Sequence, residues 1–144
     1  MTEPRYTAKV HVTGGRNGIG KTEDGFEVPL KGPVAMGGPG GGANPEQLFA
    51  IGYAACFEST LRGAARGRQL DPKGTSIDAA AKLLPREEGG FNLGVDMDIT
   101  MPGVTDADAA VELVKAAHGS CVYSRATQGN IPVAFTINGT AVTL

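Results

Sequence analysis

The sequence predicts an α+β domain: a mainly antiparallel sheet packed with a long buried central helix and a second helix. Three observations predict it. Phe91, Leu93, Val95, Met97, Ile99 and Met101 put apolar side chains at successive alternate positions, the period of a strand with one buried face. Gly37 to Phe57, GGPGGGANPEQLFAIGYAACF, is a glycine-rich loop running into a helix. The strand-like runs come as neighbours joined by short turns and do not alternate with helices, which argues against a doubly wound parallel sheet. At 144 residues, 41% of them hydrophobic, the chain suffices for one domain, 1–144, with its own core.

In chain order, Tyr6, Ala8, Val10 and Val12 alternate with Arg5, Thr7, Lys9, His11 and Thr13, as in a half-buried strand. Gly14, Gly15, Gly18 and Gly20 surround Arg16 and Asn17 in a turn, and Phe26, Val28 and Leu30 alternate after Asp24-Gly25, giving antiparallel edge strands. The run Gly37 to Gly42 lacks the Lys-Ser/Thr ending of a phosphate loop and the GxGxxG spacing after a strand, so no nucleotide site is expected. Asn44 suits an N-cap, Pro45 the first helical position and Gln47 a capping box, so the helix starts at Pro45. From Leu48 to Phe57 every residue is apolar or Gly, which predicts packing on all sides; ten such residues are too few to span a bilayer. Arg62, Arg66 and Arg68 stand where cations favour a helix C-terminus, and the helix should end between Gly67 and Leu70, before Pro72.

Ile77, Ala79, Ala81 and Leu83 alternate up to Pro85, and Glu88-Gly89-Gly90 turns the chain into the strand from Phe91. Thr105 with Asp108 resembles a capping box, and Ala107, Ala110, Val111, Val114, Ala117 and His118 follow at helical spacing to about Gly119. Ser120 can cap a short third helix from Cys121 to about Gln128, stopped by Gly129. Pro132 to Ile137 and Thr140 to Leu144, joined by Asn138-Gly139, read as a type I′ hairpin.

A net charge of -2 and a pI near 5.6, with no basic run, argue against nucleic acid or an anionic membrane as partner. A small, weakly charged ligand is expected. The opening stretch MTEPRYTAK has no apolar h-region and two cysteines make no disulfide framework, so a cytoplasmic location is expected.

Chemistry-bearing residues are few. At helical spacing Phe49, Gly52, Tyr53, Thr60 and Gly63 share the side of Cys56, which therefore looks out of a groove with small residues and two aromatics. A cysteine on an apolar helix is more often a small inert hydrophobe. Cys121 at a helix start occupies a place that tends to lower a thiol pKa, yet cysteines there also simply pack. Arg16 in a glycine turn is more often a solvated side chain, and Glu46 more often a first-turn carboxylate favoured by the helix dipole. His118 and Cys121 have His-x-x-Cys spacing, but with Cys56 they supply three ligands where structural zinc takes four, so no metal site is expected.

Two stretches carry a more specific signal. NPEQLFAIGYAACF, preceded by MGGPGGG, and AHGSCVYSRATQGNIPV closely resemble the two cysteine motifs of the organic hydroperoxide resistance (Ohr) family, within the Ohr/OsmC group. The order of hairpins and helices between them is similar as well, and the likeness covers nearly the whole chain. It implies an OsmC-like fold forming an intertwined homodimer with active sites at the interface. It further implies a thiol peroxidase with Cys56 as peroxidatic and Cys121 as resolving cysteine, and with Arg16 and Glu46 as their charged partners. The implied substrates are organic and fatty-acid hydroperoxides, and the implied reductant is dihydrolipoamide or the lipoyl group of a lipoylated protein. Neither metal nor flavin is implied. The chain departs from the family pattern at Val122, where proline is common, and at Gln128, where a basic residue is common.

In these roles a Cys56 thiolate would attack a peroxide oxygen to leave a sulfenic acid, which Cys121 converts to a disulfide. Arg16 would favour the thiolate and donate to the peroxide oxygens, held by a bidentate pair with Glu46. Phe49, Tyr53 and Phe57 suit an alkyl or aryl tail better than hydrogen peroxide. On a straight helix, ten residues place Glu46 and Cys56 about 15 Å apart along the axis and about 80° around it. The pair is therefore expected either to complete the partner subunit's pocket or to need a bend near Gly52, with Arg16 bridging. Two rival readings are a non-catalytic, redox-switched binding module and a general OsmC-type peroxidase with another reductant.

Overall fold

The computed structural model describes residues 2–144. They fall into two compact units divided between Leu48 and Phe49.

In the first unit, β1 (Val10–Thr13), β2 (Ile19–Thr22) and β3 (Glu27–Pro29) form an antiparallel sheet in that order, with Val12 opposite Gly20 and Gly20 opposite Val28. The turn from β1 to β2 closes so tightly that a Cβ at Gly18 would lie 1.7 Å from the Thr13 carbonyl oxygen, which only glycine permits. The first strand is shorter than its alternation suggests, and its apolar residues are not half-buried: Val10 is 67% and Val12 53% exposed. Alternation reports an intention to bury one face, and within this chain nothing among the described residues of the unit covers it.

Helix α1 (Pro45–Gly67) begins and ends within the predicted limits. Its capping box is complete: the Asn44 N–H donates to Gln47 Oε1 at 3.0 Å and the Gln47 N–H to Asn44 Oδ1 at 2.9 Å. Burial is one-sided, along Tyr53, Phe57, Leu61 and Ala65 at four-residue spacing, whereas Ile51 stays 64% exposed. The expected all-round packing is therefore not met within one chain. Near the C-terminal end Arg62 pairs with Glu58 and donates to the Thr75 carbonyl at 3.0 Å, tying the helix to the segment that follows it.

In the second unit, β4 (Ser76–Pro85) and β5 (Phe91–Thr100) pair antiparallel over their whole length. The chain then passes through α2 (Ala107–Ser120) and α3 (Val122–Thr127) to β6 (Val133–Ile137), which lies parallel to β5, with β7 (Thr140–Val142) antiparallel at the end. The four-stranded sheet has the order β4-β5-β6-β7 and is mixed, so one connection does cross over instead of turning back. A parallel pair needs a crossover of a dozen or more residues, usually helical, and α2 with α3 supplies it. Asn138 (φ 47°) and Gly139 (φ 85°) both take positive φ, as the type I′ turn requires. The Asn138 side chain also accepts from the Met101 N–H at 2.7 Å and donates to the Val104 carbonyl at 3.2 Å, fastening the hairpin to the exit of β5.

Two helix caps differ by one residue from expectation. Asp106, not Thr105, caps α2 by accepting from the Ala109 N–H at 2.9 Å. Helix α2 runs on through Ser120, whose hydroxyl bonds back to the Ala116 carbonyl at 3.0 Å, so Cys121 itself is the N-cap of α3. The core joins the buried stripe of α1 to Val95, Met97 and Ile99 of β5, Leu113, Val114 and Ala117 of α2, and Phe135 and Ile137 of β6.

Candidate active site

The first group of candidate residues is built on the end of β3. The Leu30 N–H donates to the Gly18 carbonyl on one side, while the Lys31 N–H donates to the Ala43 carbonyl and the Ala43 N–H to the Pro29 carbonyl on the other, all at 2.9 Å. One extended segment thus carries the turn holding Arg16 and also fixes the loop that delivers the first turn of α1. The result is a fork: Arg16 Nη1 lies 3.0 Å from Glu46 Oε2 and Nη2 2.9 Å from Oε1. The hydrogen bonds from Arg16 hold the Glu46 carboxyl below its ordinary range, and Glu46 in turn raises the Arg16 guanidinium further. Arg16 keeps 55% of its side chain exposed against 15% for Glu46, so the guanidinium is oriented by its partner while most of it remains accessible.

The second group lies on α1, α2 and α3. Cys56 is half-buried and Cys121 fully buried; both are free thiols, and their sulfurs are 3.4 Å apart. Covalent bonding would require closing that gap to about 2.05 Å. Burial pushes the Cys121 thiol up, which reverses the expectation drawn from its place at a helix start. The backbone N–H groups of Ser124 and Tyr123 pull the other way, without either closing a cap hydrogen bond, and a helix of six residues has too little dipole to overcome desolvation.

Around these sulfurs the aromatic residues sort differently from expectation. Phe49 is partly buried and meets Tyr53 edge-on at 6.1 Å, and Tyr123 stacks on Tyr53 at 5.9 Å. Phe57 is 0% exposed and packs against Phe135 at 5.5 Å and His118 at 6.5 Å, so it belongs to the core and not to an open wall. Tyr53 is equally buried, behind Phe49. The residue missed is Tyr123, whose hydroxyl lies 3.1 Å from where a Cβ at Gly52 would stand, one turn of α1 before Cys56. Glycine at 52 was the available signal, marking a close approach to the helix.

Also missed was a buried polar chain. Ser124 Oγ is 2.9 Å from His118 Nδ1 and 2.8 Å from the Tyr53 hydroxyl. Among the described residues no three His, Cys, Asp or Glu side chains gather as a metal-holding group, and no helix is long and apolar enough to cross a membrane.

Burial holds the His118 pKa below its ordinary 6.5. The unfolded chain therefore binds a proton more readily, and stability rises with pH in this window. The contribution is fully present above the ordinary value and is lost as pH falls through the lowered one. Thermal melts should accordingly drop in midpoint below about pH 6.5, before the carboxylates titrate. His118→Asn should flatten that part of the profile; an unchanged slope would contradict it.

A family model described as OsmC-like protein matches residues 38–136. An organic hydroperoxide resistance protein of Xanthomonas axonopodis pv. citri is 42% identical over 135 residues, covering 92% of this chain and 94% of that protein. The organic hydroperoxide resistance protein OhrA of Bacillus subtilis is 40% identical over 137 residues, covering 92% and 96% respectively. Among solved structures, an organic hydroperoxide resistance protein OsmC from Legionella pneumophila superposes with a TM-score of 0.87 at 40% identity, over 94% of this chain and 98% of that one.

Proposed function

Because this chain belongs to the OsmC-like family, in its organic hydroperoxide resistance (Ohr) group, we propose that it is a cytoplasmic two-cysteine peroxidase for organic hydroperoxides. The observation that carries the reading is the approach of the two reduced sulfurs of Cys56 and Cys121 to 3.4 Å, with the former half-exposed and the latter sealed.

Cys56, as thiolate, attacks the terminal oxygen of an alkyl or aryl hydroperoxide. The O–O bond breaks, the alkoxide leaves with a proton as an alcohol, and Cys56 becomes a sulfenic acid. Cys121 then attacks that sulfur; its thiol proton and the departing hydroxide make water, and the disulfide remains. A dithiol, of the lipoyl type, restores both thiols by two exchange steps and is itself oxidised to a disulfide. The Arg16 guanidinium donates to the oxygen on which charge develops, and Glu46 holds its plane. Phe49, with Tyr53 behind it and Tyr123 beside it, offers the apolar surface that favours a carbon-bearing peroxide over hydrogen peroxide. The working species is a homodimer.

One equivalent of cumene hydroperoxide should remove both free thiols and two hydrogen atoms of mass, and dihydrolipoamide should restore them. Survival of both thiols would overturn the reading.

Freeing the guanidinium has a defined effect. Glu46→Ala should lower kcat/KM for cumene hydroperoxide about tenfold to hundredfold, since a misaimed donor loses most of its transition-state contact. Mixing Glu46→Ala with Cys56→Ser subunits then assigns the pair. Recovery of wild-type sites in the mixture places its action on the partner's thiol, and no recovery places it on its own.

A further inference from the structure

We propose that Ser124, held between His118 and Tyr53, is a positioning residue that aims Cys121 at the oxidised Cys56; this rests on the peroxidase reading above. Helix α3 has six residues, too few to be stable without tertiary anchors. Its inward stripe is Cys121, Ser124 and Thr127, exposed by 0%, 1% and 3%, whereas Val122 faces out at 71%. The helix thus turns two hydroxyl side chains to the core and leaves Val122 in solvent, which is not ordinary amphipathic docking.

What holds it is directional bonding. With the shorter contacts made, the Tyr53 and Ser124 hydroxyls lie 2.8 Å apart and Ser124 Oγ lies 2.9 Å from His118 Nδ1; one arrangement has the Tyr53 O–H donating to Ser124 Oγ and the Ser124 O–H donating to an unprotonated Nδ1. The Thr127 hydroxyl donates to the Ser124 carbonyl at 3.0 Å, and no buried side-chain nitrogen or oxygen among the described residues lacks a partner. His118 is braced between Phe57 and Phe135, so the clamp reaches Ser124 from two other helices, α1 and α2.

Ser124 is also, with Tyr123, one of the two residues whose backbone N–H groups face the Cys121 sulfur. Fixing its side chain therefore fixes both the rotation of α3 about its axis and a donor beside the attacking sulfur. A side chain about 5 Å from a helix axis moves about 1 Å for a rotation of about 10°. A shift of about 1 Å can cost about a hundredfold in a step that needs alignment. Apolar packing would let so short a helix roll by that much, and two hydrogen bonds do not.

The sequence of events puts the effect in one step. Attack of Cys56 on the hydroperoxide does not use Ser124. Conversion of the sulfenic acid to disulfide and water does. When that step slows, a second hydroperoxide oxidises the waiting sulfenic acid to sulfinic acid and is itself reduced to the alcohol.

The test compares wild type, Ser124→Ala, His118→Leu and His118→Asn, each treated with one and then ten equivalents of cumene hydroperoxide and read by rapid quench and intact mass. Wild type should give the disulfide. Ser124→Ala and His118→Leu should lose the Cys56 thiol at the wild-type rate and form disulfide about tenfold to hundredfold more slowly. At the higher dose they should gain two oxygen atoms on Cys56. His118→Asn, which keeps an acceptor where Nδ1 stood, should return to wild-type partition, an outcome that a purely structural loss would not give. If Ser124→Ala does not fold, His118→Leu with its His118→Asn rescue carries the same expectation. Disulfide formation at the wild-type rate in these variants overturns the role of Ser124 alone. Absence of the disulfide in wild type overturns the peroxidase reading, and this inference with it.

Discussion

Cys56→Ser should lower peroxide turnover with dihydrolipoamide by about a thousandfold or more, because a hydroxyl at that site is neither ionised at neutral pH nor soft enough to attack an O–O bond. The same exchange should leave the melting temperature nearly unchanged, since the position is half-buried and the volumes are close. Cys121→Ser has the opposite profile. It places a hydroxyl in a fully buried site, at a cost of about 1–3 kcal/mol if no partner is found, and it lets the first oxidation of Cys56 proceed. Turnover assays and melts on the two variants separate the roles. Equal loss of the first oxidation step in both would contradict the assignment of Cys56 as the attacking sulfur.

Phe57→Ala should be among the most destabilising single truncations, at about 3–5 kcal/mol. Phe57 has no exposed surface and fills the space among Tyr53, His118 and Phe135, at ring distances of 6.4, 6.5 and 5.5 Å. Against a total stability of about 5–15 kcal/mol for an ordinary domain, that is a large share. The cavity would also border the His118 ring, so Ser124 would lose the brace behind its acceptor. Phe91→Ala is the internal comparison: its ring is 50% exposed and should cost much less. Urea midpoints at constant slope measure both. A Phe57→Ala midpoint matching that of Phe91→Ala would mean the core repacks around the gap.

Most elements were legible because each has a local cause. The Asn44, Pro45 and Gln47 start of α1, the ten alternating residues of β5 and the Asn138-Gly139 turn all depend on neighbours in sequence, and each appears where expected. The positions of Arg16 and Glu46 in a turn and a first helical turn were equally local, but their pairing across thirty residues came from a resemblance and not from spacing. Long-range matters were not legible. The parallel alignment of β6 on β5 is decided by where α2 and α3 return the chain, and alternation within a strand is blind to direction. The raised Cys121 thiol shows burial, a tertiary property, overriding the helix-start effect that sequence suggests. Phe57 looked like a pocket residue because helical spacing gives the side of a helix and not what stands against it. Tyr123 and Ser124 escaped notice because a six-residue helix offers too little pattern to tell its inner side from its outer one.

The sheet β1–β3 carries a consequence of a different kind. Val10 and Val12 on β1 and Phe26 just before β3 are 67%, 53% and 67% exposed, and the two strands are only four and three residues long. Such strands are marginal in water unless an apolar face is covered. In the homodimer proposed above a second subunit would cover them, and the fraction folded in this unit would then follow the law of mass action. Dilution then acts as a denaturant. A melting temperature for this protein is incomplete as a number until the protomer concentration is stated beside it.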